Sequence, residues 1–189
     1  FGQTAANSMV KNFKLTNSYF GSTLTSGDVY LGAVAGYGCG DFESIKSEAY
    51  INSGAGRNGG IVGYMVGQSI TDCWYSGTMT LGAYGKNSGG IVGMIDSGTV
   101  DMSNCLYSGV IGGSGTGTNA AHGGLCGYLY NGATLNIADC LSVGSVTTST
   151  SNCIGSVVGH LRNGDTVPTV KLEDTYVKEG ICESVVRRN

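Results

Sequence analysis

The sequence predicts an all-β fold: a parallel β-solenoid, or β-helix, of about five three-stranded coils with a period of about 30–35 residues. Three observations lead there. A glycine-rich hydrophobic run recurs in phase with a Cys-aromatic run. Short β-favouring runs are separated by Gly, Asn and Ser. No stretch carries apolar residues at helical spacing with caps over three turns, and Leu, Lys and Glu are sparse.

The clearest unit is Gly59-Gly60-Ile61-Val62-Gly63-Tyr64, followed by Asp72-Cys73-Trp74-Tyr75-Ser76-Gly77. It returns as Gly89-Gly90-Ile91-Val92-Gly93 with Asn104-Cys105-Leu106-Tyr107-Ser108-Gly109, and as Gly123-Gly124-Leu125-Cys126-Gly127-Tyr128 with Asp139-Cys140-Leu141-Ser142. Worn copies are Leu31 to Tyr37, leading into Ser47 through Tyr50, and Gly155 to His160, leading into Asp174-Thr175-Tyr176. Half a unit opens the chain at Leu15 to Gly21. Gly60, Gly90 and Gly124 are 30 and 34 residues apart, and Cys73, Cys105, Cys140 and Thr175 are 32, 35 and 35 apart. Spacing that drifts by a few residues places insertions in loops.

Within one unit the expected strands are Ile61 to Val66, Ser69 to Tyr75 and Thr78 to Tyr84. The breakers are Gly67, Ser76-Gly77 and Lys86 to Gly89, where Gly and Asn supply positive φ at low cost. A single coil cannot bury its inner face, whereas stacked coils share one core. At ~4.8 Å per coil the stack would be ~25 Å long. The domain reading is repeats over residues 1–177 with a partial first coil, then a cap or linker over 178–189. From Arg162 to Asn189 the chain holds ten of its 23 charged residues and its single proline, Pro168. Arg187-Arg188 also has the form of a processing site.

In-phase repeats turn residue types into columns. Asp72, Asn104, Asp139 and Asp174 stand just before the Cys position, with Asn17 and Ser47 taken as the counterparts in the weaker copies. Such an Asx column reads as a corner, where the side chains bond local backbone. A calcium column is the sharper alternative. It lacks the Gly-rich nonapeptide of calcium-binding β-rolls, and calcium wants six to eight oxygens. Cys73, Cys105 and Cys140 read as a buried thiol ladder, with Cys acting as a small hydrophobe. A Cys153–Cys182 bridge is a minor alternative for two of the remaining cysteines. Tyr37, Tyr64, Met94, Tyr128 and His160 follow the glycine strand and form a further column. It is either an aromatic stack covering that strand or a platform for sugar rings or a partner protein; Tyr37, Tyr64 and Tyr128 are the candidate binding residues. The Gly/Ser/Thr-rich stretch from Ile111 to His122 is a second candidate binding loop.

Composition excludes several functions. Charged residues make up 12% of the chain and the net charge is −3. Between Ile61 and Leu161 the only basic residue is Lys86, so no nucleic-acid footprint exists. No apolar run reaches the ~18 residues of a membrane span, so no membrane insertion is expected. No CxxC pair and only two His leave no zinc motif, and no cofactor is expected. Asp96 and Asp101 flank a turn, and glycoside hydrolysis uses paired acids, but nothing else clusters with them. Thr78-Met79-Thr80 resembles the arrays of ice-binding solenoids, yet the next copy has Val110-Ile111 there.

Both halves of the repeat, Gly60-Ile61-Val62-Gly63-Tyr64 and its copies with the x-Cys-x-Tyr-Ser-Gly run, resemble the GLUG motif, named for its Gly-Leu-any-Gly core. The resemblance covers roughly residues 15 to 177. It implies a β-helical stalk in a large secreted or surface-attached bacterial protein, such as an adhesin or the non-catalytic region of an immunoglobulin A-cleaving metallopeptidase. It transfers no catalytic residue, since the zinc motif H-E-x-x-H is absent. The functional expectation is a non-catalytic structural or adhesive module, extracellular or at the cell surface. Its candidate partners are a glycan, a host or neighbour-cell protein, and a second copy stacked end to end.

Overall fold

The computed structural model describes residues 1–115, 120–148, 153–162 and 165–178, together with the backbone of 186–188. It is a parallel β-solenoid of about five turns, with no helix among the described residues. Strands pair in parallel with their counterparts in the neighbouring coils. One ladder runs Tyr37–Tyr64–Met94–Tyr128–His160. A second runs Ile51–Met79–Ile111–Val146. A third runs Phe42–Ile70–Met102–Ile137–Leu172.

The core is the column of side chains on the inner faces. Ile61, Ile91, Leu125 and Val157 follow one another at the glycine corner. Ile61 N–H donates to the Ile91 carbonyl, Ile91 to Leu125, and Leu125 to Val157, at 2.9–3.1 Å. Met65, Ile95, Leu129 and Leu161 stack one strand further on, and all eight of these side chains are buried. Burying each such side chain contributes about 1.5–3 kcal/mol, and no coil can do so without its neighbours.

The strands are longer than the breakers imply. Val62–Thr71 is one strand that passes through Gly67 and Gln68, both at positive φ, and Thr78–Gly89 absorbs the whole Lys86 to Gly89 stretch. A parallel ladder tolerates these residues because register shifts take up the extra backbone, as between Ile95 and Ser97 or between Gly56 and Arg57. The chain bends instead at the Gly-Gly pair and at the Asx position.

The Asx column is a column of left-handed residues. Asp72, Asn104, Asp139 and Asp174 have φ of 55°, 53°, 53° and 38°. The early copies differ from the expected phase. Lys46 pairs with Trp74 and Lys14 with Lys46, so the counterparts of Asp72 are Ser44 and Asn12, with φ of 53° and 63°, not Ser47 and Asn17. Ser47 pairs with Tyr75 and lies three residues past the corner. The misphasing arises because Ile45 and Phe13 stand where later coils have Cys. For the same reason the opening half unit is Met9–Leu15 and Tyr19–Ser22, two strands laid on Asp41–Ser47 and Tyr50–Gly59.

The thiols of Cys73, Cys105 and Cys140 are unbridged and buried in register. Each donates to the carbonyl two residues back, across the left-handed corner: to Thr71, Ser103 and Ala138 at 3.3, 3.2 and 3.2 Å. Thr175 ends the column with the same bond, from its hydroxyl to the Glu173 carbonyl at 2.9 Å. From Cys73 onward the position therefore holds a small donor, where Phe13 and Ile45 fill it with hydrocarbon in the first coils. The Cys105 thiol is pushed well above the usual thiol range, first by hydrogen bonding with Cys140 and Cys73 and then by burial. Cys182 lies outside the described residues.

The stretch from Ile111 to His122 is ladder at both ends. Val110–Gly113 pairs with Thr78–Gly89, as does Ala121–Gly123, and residues 116–119 lie outside the described residues. At the far end, Val186–Arg188 adds a parallel strand to Val158–Arg162, so the expected cap or linker contributes a strand.

Candidate ligand groove on the tyrosine face

The Gly-Gly corner brings two successive strands against each other. A side chain on Gly93 would run into the backbone of Asn58, and one on Gly127 into that of Ser88. The outward side chains of the two strands therefore meet in a groove. One wall is the column Tyr37, Tyr64, Met94, Tyr128 and His160. The other is Tyr30, Arg57, Asn87, Ala121 and Cys153, in register from coil to coil. Met94, Ala121, Tyr128 and Cys153 form a small apolar cluster of their own at its floor.

At one end the rings of Tyr37 and Tyr64 stack with centroids 4.9 Å apart and planes 22° apart. Tyr30 closes on Tyr64 at 4.7 Å. Tyr64 is half-buried, and burial followed by hydrogen bonding to Asp96 raises its phenol. Burial likewise raises Tyr37. Both phenols are protonated at neutral pH, and Tyr64 donates to Asp96.

The middle is taken by Arg57. Its guanidinium lies 5.3 Å over the Tyr30 ring, its Nε donates to Met94 Sδ at 3.3 Å, and its Nη1 is paired with Asp28. The hydrogen bond from Arg57 holds the Asp28 carboxyl below the usual carboxylate range. At the other end Tyr128 meets His160 edge-on at 5.5 Å and Tyr130 at 6.2 Å. Arg162 lies 5.9 Å over Tyr130 and donates to Tyr128 Oη at 3.5 Å. Here the groove deepens into a cavity of about 240 Å³.

The groove thus brings together the sequence-predicted Tyr37, Tyr64 and Tyr128, with Met94 and His160. Tyr30, Arg57, Lys86, Asn87, Tyr130 and Arg162 were not foreseen as part of it. One signal could have found the second wall. Tyr30, Arg57, Asn87, Ala121 and Cys153 each stand two residues before the first glycine of the corner, or its equivalent. The acid pair separates into different surroundings. Asp96 reaches Tyr64, while Asp101 accepts from Asn136 Nδ2 at 2.7 Å. Among the described residues no three His, Cys, Asp or Glu side chains group closely enough to hold a metal ion. Among the described residues no helix is long and apolar enough to cross a membrane. Compared with protein-family models, curated proteins and solved structures, the chain matches none.

Proposed function

We propose that this chain is a non-catalytic structural and adhesive β-solenoid module of an extracellular or cell-surface protein, a segment of a stalk or fibre. The observation that carries this reading is the unbroken ladder: coil after coil pairs in parallel from Met9–Leu15 through Tyr176–Val177. Such a stack offers stiffness along its axis and repeated faces along its sides. The resemblance of the repeats to the GLUG motif supports the same setting. Beads coated with the protein should adhere to a cell or glycan surface and release nothing from it. Turnover of a polysaccharide, lost in Asp96→Asn or Asp101→Asn, would overturn the reading.

A second reading concerns what is held. The paired rings of Tyr37 and Tyr64 beside a groove favour a carbohydrate-binding face, because flat apolar rings with polar tips suit sugar rings. A glycan array tests it. Binding that persists unchanged in the Tyr64→Ala, Tyr128→Ala double variant would sink it.

A further inference from the structure

The 240 Å³ cavity at the Tyr128 end of the groove differs from the Tyr37 end in charge. Three cations, Arg57, Lys86 and Arg162, line it together with Asn87, Tyr128 and Tyr130. In a chain of net charge −3 with ten basic residues, three of them face one cavity. Asp28 offsets Arg57 and also feels Lys86, so it answers at most part of that charge. Arg162 has the Tyr128 hydroxyl and the Tyr130 face as neighbours, and neither is an anion. Asn87 is 5% exposed, and its side-chain Oδ1 has no hydrogen-bond partner. A buried amide oxygen without a partner is uncommon and costly. Its Nδ2 donates to Met94 Sδ at 3.7 Å, so the unpartnered Oδ1 is what Asn87 offers a ligand hydroxyl, as an acceptor.

We propose that this cavity binds an acidic sugar: a pyranose ring carrying a carboxylate, with the carboxylate between Arg162 and Lys86, the ring against Tyr128 and Tyr130, and a ring hydroxyl on Asn87. The volume lies just below the ~300–1,000 Å³ of pockets for drug-sized ligands, which suits one sugar ring better than a peptide segment. Guanidinium–carboxylate pairing supplies geometry as well as charge. The proposal rests on the carbohydrate-binding reading and narrows it to one end of the groove.

The test is calorimetric titration of the whole chain with trigalacturonate and with the same trisaccharide reduced at its carboxyl groups. The expected result is binding of the acidic sugar at least tenfold tighter than its neutral counterpart, weakening as salt rises from 0.05 to 0.5 M. Arg162→Gln and Lys86→Gln should each weaken it at least fivefold. Arg162 is exposed, and an unchanged melting temperature would show that its variant folds. Equal binding of both sugars, lost in Tyr128→Ala, would overturn the acidic site and leave the carbohydrate face standing. Binding of neither would overturn both. Displacement of the sugar by a poly-glutamate peptide at equal concentration would also overturn the proposal, because the cavity would then be reading charge alone.

Discussion

The ring of Tyr75 lies directly against Gly60: a methyl group on that glycine would sit 2.5 Å from the ring's Cδ1. The same relation holds in the next coil between Tyr107 and Gly90, again at 2.5 Å, here to the ring's Cγ. In the coil after that, Ser142 takes the tyrosine's place against Gly124 and donates to the Ser156 carbonyl at 2.6 Å. The two halves of the repeat recur together because the second glycine is the floor on which the aromatic residue of its own coil rests. The tyrosine hydroxyls complete the arrangement, Tyr75 donating to the Ala49 carbonyl at 3.1 Å and Tyr107 to that of Ser145 at 2.6 Å.

Gly60→Ala should therefore be far more costly than Gly67→Ala. At Gly60 the added carbon would overlap both the ring and the Gly90 carbonyl, and overpacking without room to shift costs about 3 kcal/mol or more. At Gly67 an added carbon would meet only the Thr99 carbonyl, at an ordinary 3.8 Å, but φ is 64°, so its variant costs only the ~1–2 kcal/mol of a left-handed non-glycine residue. Urea unfolding of the two variants compares them. Equal losses would show that backbone conformation, not the Tyr75 contact, decides the glycine at position 60.

The Asx corner makes an opposite demand on the side chain. Asp72 is exposed and its φ is 55°. Asp72→Ala should cost about 1–2 kcal/mol, while Asp72→Gly and Asp72→Asn should be close to neutral. Adding calcium should leave the melting temperature of the wild type unchanged. A calcium-dependent rise that Asp72→Asn abolishes would restore the metal reading of this column.

The period, the tyrosine column and the late Asx and Cys columns were legible because Gly-x-x-Gly and Asx-Cys keep their residue types from Gly59 to Cys140. The early phase was not. Phe13 and Ile45 fill the core volume that Cys fills later, and a sequence comparison by type slides to the nearest Asn or Ser instead. The groove was only half legible. Alternation along one strand shows that Tyr64 and Arg57 both point outward. It does not show that the Gly-Gly corner folds those two outward faces together, which depends on backbone packed directly on Gly63, Gly93, Gly127 and Gly159.

Position 73 tests whether the thiol ladder is chosen for its donor. Cys73→Thr keeps a donor for the Thr71 carbonyl, as Thr175 does for Glu173, whereas Cys73→Val has the same shape and none. The Thr variant should be the more stable by about 1 kcal/mol, the net value of one hydrogen bond. A more stable Val variant would return the column to plain hydrophobic packing. In the wild type, Cys73, Cys105 and Cys140 should resist alkylation until the chain unfolds, since all three are buried.

His122 gives the fold an acid limit. Its ring is fully buried, with Nε2 3.4 Å from the Gly115 carbonyl and Nδ1 without a hydrogen-bond partner. Burial lowers its pKa from 6.5 to about 4, against a smaller opposing effect of the Gly115 carbonyl. Between those values the unfolded chain holds a proton that the folded chain refuses. Stability from this group is therefore fully present above pH 6.5 and is lost as the pH falls towards 4. The whole span is on the order of 3 kcal/mol. Unfolding free energies at pH 7.5 and 4.5 should show the wild type losing about 2 kcal/mol more than His122→Gln, which has no proton to take up there. Parallel losses in the two proteins would mean that His122 is already protonated in the folded chain, with its charge answered by groups around it.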